Sequence, residues 1–420
     1  MSHLNVSHPS GVVSGAVKAP ASKSISNRAL IIQSLCSDKP LIENLSGSDD
    51  TWTLQSALEI MMQNRGSSTP VTIDIDNAGT AMRFLAARLA IEPGKWLLTG
   101  SARMLERPIA ELVDALKKLG GSVGYAGKEG YPPLLIHGKW PKGSKTTVRG
   151  SISSQFISGL LMIAPALPEG IKLTIEGTPA SVPYIYMTLR MMAAFGVQTA
   201  RDGNVLMVPP QSYSPENYAV EVDWSAASYW FETAALAKKG EILVNGLRPS
   251  SLQGDAAVAG IFKNLGVSAR RSEEGMVLTK TGTCDTSIPG LDLRNTPDLA
   301  QTVIVTAAGL NLPGIFTGLD NLRFKETDRL SALVSELRKL GIRIEGEGGT
   351  RIRLHDREWQ ERLFSTTPVQ TFGDHRMAMA FAPMALKCDE IIIEDPEVTS
   401  KSYPEFWEEL RKTGFHLRRK

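Results

Sequence analysis

Cysteine is scarce. Three occur in 420 residues, Cys36, Cys284 and Cys388, far apart, with no C-x-x-C pair and no neighbouring histidine. That usage excludes a disulfide-stapled scaffold and a thiolate zinc site, and it predicts three free, buried thiols. The six histidines are scattered, with no H-E-x-x-H, so metal-free chemistry is expected. G-x-x-x-x-G-K-[ST] is absent, as is G-x-G-x-x-G after a strand, which leaves a nucleotide-binding reading little support. No stretch approaches the roughly 20 apolar residues of a membrane span, and the first twenty residues lack the charged start and apolar core of a secretory signal. The expectation is a cytoplasmic chain without membrane association. Charge of neither sign dominates: 46 Lys and Arg face 44 Asp and Glu, a net +2. No global field recruits nucleic acid, so any anion site must be local. Glycine and proline, 37 and 24, stay below the share that marks disordered or collagen-like chains.

What remains is a soluble globular composition of a length that argues for two or three domains. A local pattern recurs along it: an apolar-periodic helix, a basic or polar last turn, Gly, then a β-branched or aromatic run. The clearest copies are LVDALKKLGGSV, VAGIFKNLGVSA and LVSELRKLGIRI; TLRMMAAFGVQT and FWEELRKTGFHL are looser. Their terminal glycines are Gly120, Gly196, Gly266, Gly341 and Gly414, spaced 76, 70, 75 and 73, with a degenerate copy ending at Gly66. Glycine adopts the left-handed conformation after a helix cheaply, so each copy reads as helix, stop, strand.

A second series interleaves: SKSISNRALIIQSL, NAGTAMRFLAARLA, SSQFISGLLMIAPAL, SAASYWFETAALA, DLAQTVIVTAAGL and DHRMAMAFAPMAL, whose starts step by 55, 76, 72, 73 and 76. Helices apolar nearly all round are buried helices. The chain therefore reads as an α/β protein of six helix/strand units around buried parallel helices, the first trimmed by about a hairpin. Three units per globule give an N-terminal globule of residues 21–220 and a discontinuous C-terminal globule of residues 1–20 and 221–420. Two chain crossings would make a hinge with an interdomain cleft.

The six buried helices open with Ser, Asn or Asp, which ordinary N-capping explains for any one of them. Several also place a charge beside the cap, and such charges need a partner or a cleft. If the N-termini converge, their dipoles favour an anion. Within KETDR, Lys325 and Arg329 stand at i, i+4 if the run is helical; a solvated basic face and a clamp on a carboxylate or phosphate both fit. Asp374 can cap its helix, with Arg376 snorkelling and His375 structural. Ser153, Ser154 and Gln155 suit sugar-like hydroxyls or phosphate oxygens, although a plain cap looks similar. Lys23 and Arg28 flank Ser24 in SKSISNR without a Walker pattern.

Taken together, SKSISNR, NAGTAMR, ERPI, SSQF, PYI, ASYW, TPD, KETDR, DHRMAMAF and SKSYPEF, in this order across nearly the whole chain, resemble the 5-enolpyruvylshikimate-3-phosphate synthase family. Each segment alone is a weak signal; the set is specific. The resemblance implies two globules of three units closing on substrate. It also implies transfer of the enolpyruvyl group of phosphoenolpyruvate to the 5-hydroxyl of shikimate 3-phosphate, with release of phosphate, by a monomer without cofactor. Such an enzyme is a target of glyphosate.

By that resemblance Lys23, Arg107, Arg329, Arg376 and Lys401 surround phosphoenolpyruvate, and Gly79 lets its phosphate approach the backbone. Ser24, Arg28, Ser153, Ser154, Gln155, Ser181, Tyr184, Asn321 and Lys325 hold shikimate 3-phosphate. Asp298 is the base on the 5-hydroxyl, and Glu326, with Lys23 close by, protonates the methylene carbon and later deprotonates the new methyl. The chain departs from the family pattern near NAGTAMR: Asp76 stands where Gly is usual and Phe84 where Pro is common, and the stretch from SKSISNR is short. Phe84 puts glyphosate sensitivity in question. Two rivals are a UDP-N-acetylglucosamine enolpyruvyl transferase, which uses a cysteine acid in a mobile loop, and a non-catalytic anion-binding repeat scaffold indifferent to Asp298 and Glu326.

Overall fold

The protein is described here by a computed structural model covering residues 2–139, 141–282, 284–285, 287–356 and 367–419. Two compact units divide the chain, one of residues 22–220 and one of residues 1–21 with 221–420.

All six glycines of the repeat lie at positive φ, from 78° at Gly66 to 99° at Gly414. After Ala110–Lys118 the stop is a Schellman turn: Gly120 N–H donates to Lys117 O at 2.8 Å and Gly121 N–H to Leu116 O at 2.9 Å. Gly196 and Gly341 repeat the pattern, with Val197 and Ile342 closing on Met192 O and Leu337 O. In Ala110–Lys118 the buried residues Leu112, Val113, Ala115 and Leu116 form one stripe, and Lys117 and Lys118 face outward at the negative end of the helix dipole.

Four sheets share one design, in which two parallel strands are continued by an antiparallel hairpin; a buried helix joins the parallel pair directly in three of them, whereas residues 22–220 intervene between Val12–Lys18 and Lys239–Asn245. In the N-terminal unit one sheet runs Pro70–Asp74, Gly94–Thr99, Leu134–Gly138, Ser122–Tyr125, and another Lys145–Arg149, Ile171–Glu176, Val205–Val208, Ala200–Asp202. In the C-terminal unit the counterparts are Val12–Lys18, Lys239–Asn245, Gly275–Lys280, Val267–Arg271, and Ile288–Asp292, Gly314–Thr317, Arg351–Leu354, Ile344–Glu347. The last unit borrows its hairpin strand from the other end of the chain: His3–Ser7 lies between Ile391–Glu394 and His416–Arg419, antiparallel to both. The first unit lacks the hairpin. Only Ile42–Glu43 paired with Tyr218–Ala219 represents its sheet, which accounts for its short repeat step.

The buried helices form a touching trio in each unit: Lys23–Gln33, Gly79–Ile91 and Ser154–Ile163 in one, Trp224–Leu236, Ala300–Gly309 and His375–Phe381 in the other. Every residue of Trp224–Leu236 is buried. Each fully buried Leu, Ile or Phe contributes about 1.5–3 kcal/mol, so these trios are where each unit concentrates its hydrophobic stabilisation. Glu232 lies inside the second trio with no exposed surface, and burial raises its carboxyl well above the ordinary range, only partly offset by the Thr306 hydroxyl.

The thiols correct one expectation. All three are free, but Cys284 is exposed and Cys36 and Cys388 are only partly buried. Among the described residues no helix is long and apolar enough to cross a membrane.

Candidate active site

Capping accounts for only half of the buried helix starts. Ser153 accepts from Gln155 N–H, Asp223 from Ala226 N–H and Asp374 from Arg376 N–H. The helix after Ser22 opens without a side-chain cap, and that after NAG takes Ala78 as its N-cap rather than Asn77. Asp298 lies in a 3₁₀ turn, Pro297–Leu299, ahead of Ala300–Gly309, and its carboxylate is spent on cations.

KETDR is not helical throughout, contrary to the expected i, i+4 pair. Asp320–Phe324 forms a 3₁₀ turn, Lys325 is extended, and the helix opens at Arg329 with Asp328 capping Ser331 N–H. The bend before Arg329 brings Lys325 and Arg329 onto one carboxylate, at 3.4 and 3.2 Å from Asp298 Oδ1. Arg376 holds the other oxygen, Nη2 to Oδ2 at 3.0 Å, and donates from Nη1 to Asp298 O at 3.0 Å and to the Tyr229 hydroxyl at 3.4 Å. Arg329, 1% exposed, also binds Asp374 Oδ2 at 2.7 Å and Glu326 Oε2 at 2.7 Å. Three acids thus alternate with three cations, and like charges are tolerated because each has an opposite neighbour.

Burial alone would raise the Asp298 carboxyl, but Arg376, Lys325 and Arg329 together outweigh it and hold the group well below the usual range. For Lys325, burial lowers the ammonium, reinforced by Arg329 and Arg376, although Asp298 and Glu326 oppose it. Asn321 lies in the 3₁₀ turn before Lys325, and Lys401 ends the turn Pro396–Lys401, which packs on the helix carrying Arg376.

In the N-terminal unit Lys23 Nζ pairs with Asp50 Oδ2 at 2.7 Å, at the first turns of Lys23–Gln33 and Asp49–Gln63. Arg28 is buried, and its guanidinium donates to Thr188 Oγ1 at 2.7 Å, Ser24 O at 2.8 Å and Ser158 Oγ at 3.2 Å. Desolvation brings it down to about 10. Phe84 and Tyr184 place their rings 5.2 and 6.0 Å from that guanidinium, so the aromatic residue at the proline-type position serves as a cation–π partner. Gly79 opens its helix beneath Arg107: a Cβ there would stand 2.6 Å from both Nη atoms. Gln155 Nε2 donates to Thr80 Oγ1 at 3.1 Å, joining the starts of Ser154–Ile163 and Gly79–Ile91. Ser154 is buried beside the cap Ser153, and Ser181 holds φ 56° as it turns the chain into the helix bearing Tyr184.

The candidate residues therefore fall into two sets. Ser24, Arg28 and Tyr184 meet in the N-terminal unit, as do Gly79 with Arg107; Asp298, Lys325, Glu326, Arg329 and Arg376 meet in the C-terminal one. Sequence reasoning missed Asp50, Tyr229, Thr188, Ser158 and Asp255; only the doubled acid at Asp49 and Asp50, opening a helix, carried a signal. Among the described residues no three His, Cys, Asp or Glu side chains group as a metal site requires. Cys36 lies beyond the C-terminal end of Lys23–Gln33, away from the helix starts that carry the candidate residues, and burial pushes its thiol up to about 11.

The sequence profile of EPSP synthase (3-phosphoshikimate 1-carboxyvinyltransferase) matches residues 8–410. A 3-phosphoshikimate 1-carboxyvinyltransferase of Bacteroides fragilis is 46% identical over 409 residues, spanning 97% of each chain. One of Erwinia tasmaniensis is 37% identical over 438 residues, spanning 97% of this chain and 98% of its own. The structure of an EPSP synthase from Acinetobacter baumannii superposes over 100% of both chains with a TM-score of 0.77 at 20% identity, a likeness of fold. With a six-unit fold, a motif set spanning the chain and relatives alike from end to end, the protein belongs to the EPSP synthase family.

Proposed function

We propose that the protein transfers the enolpyruvyl group of phosphoenolpyruvate to the 5-hydroxyl of shikimate 3-phosphate, releasing phosphate, and that Asp298 and Glu326 divide the proton transfers. The observation that carries this reading is the buried cluster in which one arginine, Arg329, touches both acids at 3.2 and 2.7 Å. In that cluster Asp298 is a weak base, ionised but held down by its cations. Anionic substrate groups that engage Arg329 and Arg376 draw their charge away from Asp298 and Glu326, and the proton affinity of both acids rises where it is needed. Asp298 takes the hydroxyl proton as the oxygen bonds to C2, and Glu326 delivers a proton to C3, giving a tetrahedral adduct. The C2–O bond to phosphate then breaks, Glu326 recovers a proton from the methyl group, and the proton on Asp298 leaves with phosphate.

Lys23, steadied by Asp50, supplies a further cation, with Arg107 over Gly79 and Lys401 completing the set for phosphoenolpyruvate. Ser24, Arg28, Ser153, Ser154, Gln155, Ser181, Tyr184, Asn321 and Lys325 take shikimate 3-phosphate.

Phosphate release by the purified protein, with each substrate alone and with both, tests the reading. Release is expected only with both, and Asp298→Asn and Glu326→Gln each lower kcat by about 10²–10⁴-fold. Folded protein that releases no phosphate, or variants as fast as the parent, would overturn it.

A further inference from the structure

Behind the Asp298 cluster lies a second buried carboxylate that the reaction as derived does not use. Asp255, 2% exposed in the 3₁₀ turn Gly254–Ala257, accepts a hydrogen bond from the hydroxyl of Ser225, the second residue of Trp224–Leu236. Its segment is locked to the start of that helix: Gln253 Oε1 accepts from Trp224 N–H at 2.9 Å, and its Nε2 donates to Val222 O at 2.8 Å and Glu221 Oε2 at 3.1 Å. Four residues beyond Ser225, Tyr229 receives Arg376, the arginine that grips Asp298 through both its carboxylate and its carbonyl. The turns that carry Asp255 and Asp298 thus both pack on Trp224–Leu236, the helix whose Tyr229 receives the arginine that grips Asp298.

We propose that Asp255 is a positioning residue for Asp298, anchored on Ser225 and acting through the helix Trp224–Leu236, whose Tyr229 also holds Arg376. The proposal rests on the reading of Asp298 as the reacting base. Asp298 and Asp223 push Asp255 toward its neutral form, Arg376 and the Ser225 hydroxyl pull the other way, Tyr229 is uncharged, and Lys263 on the neighbouring helix is exposed. Desolvation is the largest influence, followed by Asp298, and the carboxyl is raised to about 7. Two acids in one site are pushed apart, one ionised and one protonated near neutrality. Above that pH a second anion appears behind Arg376 and opposes an anionic substrate.

The test is the pH dependence of kcat and of KM for phosphoenolpyruvate in the parent, Asp255→Asn and Asp255→Ala. In the parent KM rises severalfold between about pH 6 and 9, whereas in Asp255→Asn, permanently neutral and still an acceptor for Ser225, it stays flat. Asp255→Ala, without that acceptor, lowers kcat by about tenfold, and Asn recovers most of the loss. A rise in KM unchanged in Asp255→Asn, or Asn as damaging as Ala, would overturn the proposal. Should the parent not turn over at all, the functional reading fails, and infrared difference spectra of parent against Asp255→Asn still read Asp255 directly. A protonated-carboxyl band at pH 6 that fades by pH 8 supports the proposal, and its absence refutes it.

Discussion

Glu232 offers a test of the core by pH. Its carboxyl is fully buried in a helix whose every residue is buried, and desolvation keeps it protonated well above the ordinary value of 4.5. A glutamic acid that holds its proton in the folded state but loses it in the unfolded state makes folding proton-linked. Its stabilising contribution is complete below pH 4.5, falls as pH rises above that value, and is exhausted once pH passes the folded-state pKa. The slope is that of one proton, about 1.4 kcal/mol per pH unit, for as long as pH stays below the folded-state value. Glu232→Gln removes the titration. Burying an amide introduces its own cost of about 1–3 kcal/mol, so the offset between the proteins at any single pH does not isolate the titration. The pH dependence of that offset does, because the amide does not titrate. Urea unfolding followed by the fluorescence of Trp224 and Trp230, on the same helix, reads it between about pH 5 and 7. The parent should lose stability relative to Glu232→Gln by about 1.4 kcal/mol per pH unit. An offset constant across that range would mean that Glu232 is ionised in the folded protein and that the burial argument is wrong.

Gly79→Ala puts a methyl group 2.6 Å from the Arg107 guanidinium, which must move. The expected result is a KM for phosphoenolpyruvate raised about tenfold with kcat largely kept, since the displaced group binds rather than transfers protons. Asp76 occupies the left-handed region at φ 46°, where a short polar side chain is tolerated and an alanine is not. Asp76→Ala should therefore cost about 1–2 kcal/mol in thermal or urea unfolding, while Asp76→Gly costs nothing or stabilises; equal effects would show that the turn is unstrained.

The architecture was legible wherever one backbone requirement selects a residue type. Six glycines, each at positive φ, marked the helix ends and through them the repeat period. Even the missing hairpin of the first unit showed in its short step. Partner choice was not legible, because it is made in three dimensions. Nothing in TPD says that Asp298 turns away from its own helix to meet Arg329 and Arg376, and nothing in KETDR says that a 3₁₀ turn ends at Phe324 and leaves Lys325 extended. Residues 1–20 were assigned to the C-terminal globule from the sequence, but not the partners of His3–Ser7, Ile391–Glu394 and His416–Arg419, which lie about 400 residues away in the chain. Motif resemblance supplied the identities of the charged residues; the structure supplied which of them meet, and Asp255 had no motif to announce it.

Heavy water tests the central claim most directly. With phosphoenolpyruvate and shikimate 3-phosphate in D₂O, protonation at C3 makes a methyl group from which a proton is later removed, so the enolpyruvyl product should carry deuterium in its methylene as phosphate is released. Glu326→Gln should suppress product and label together. Product formed at the parental rate without deuterium would contradict an acid acting at C3, and with it the roles assigned to Glu326 and Asp298.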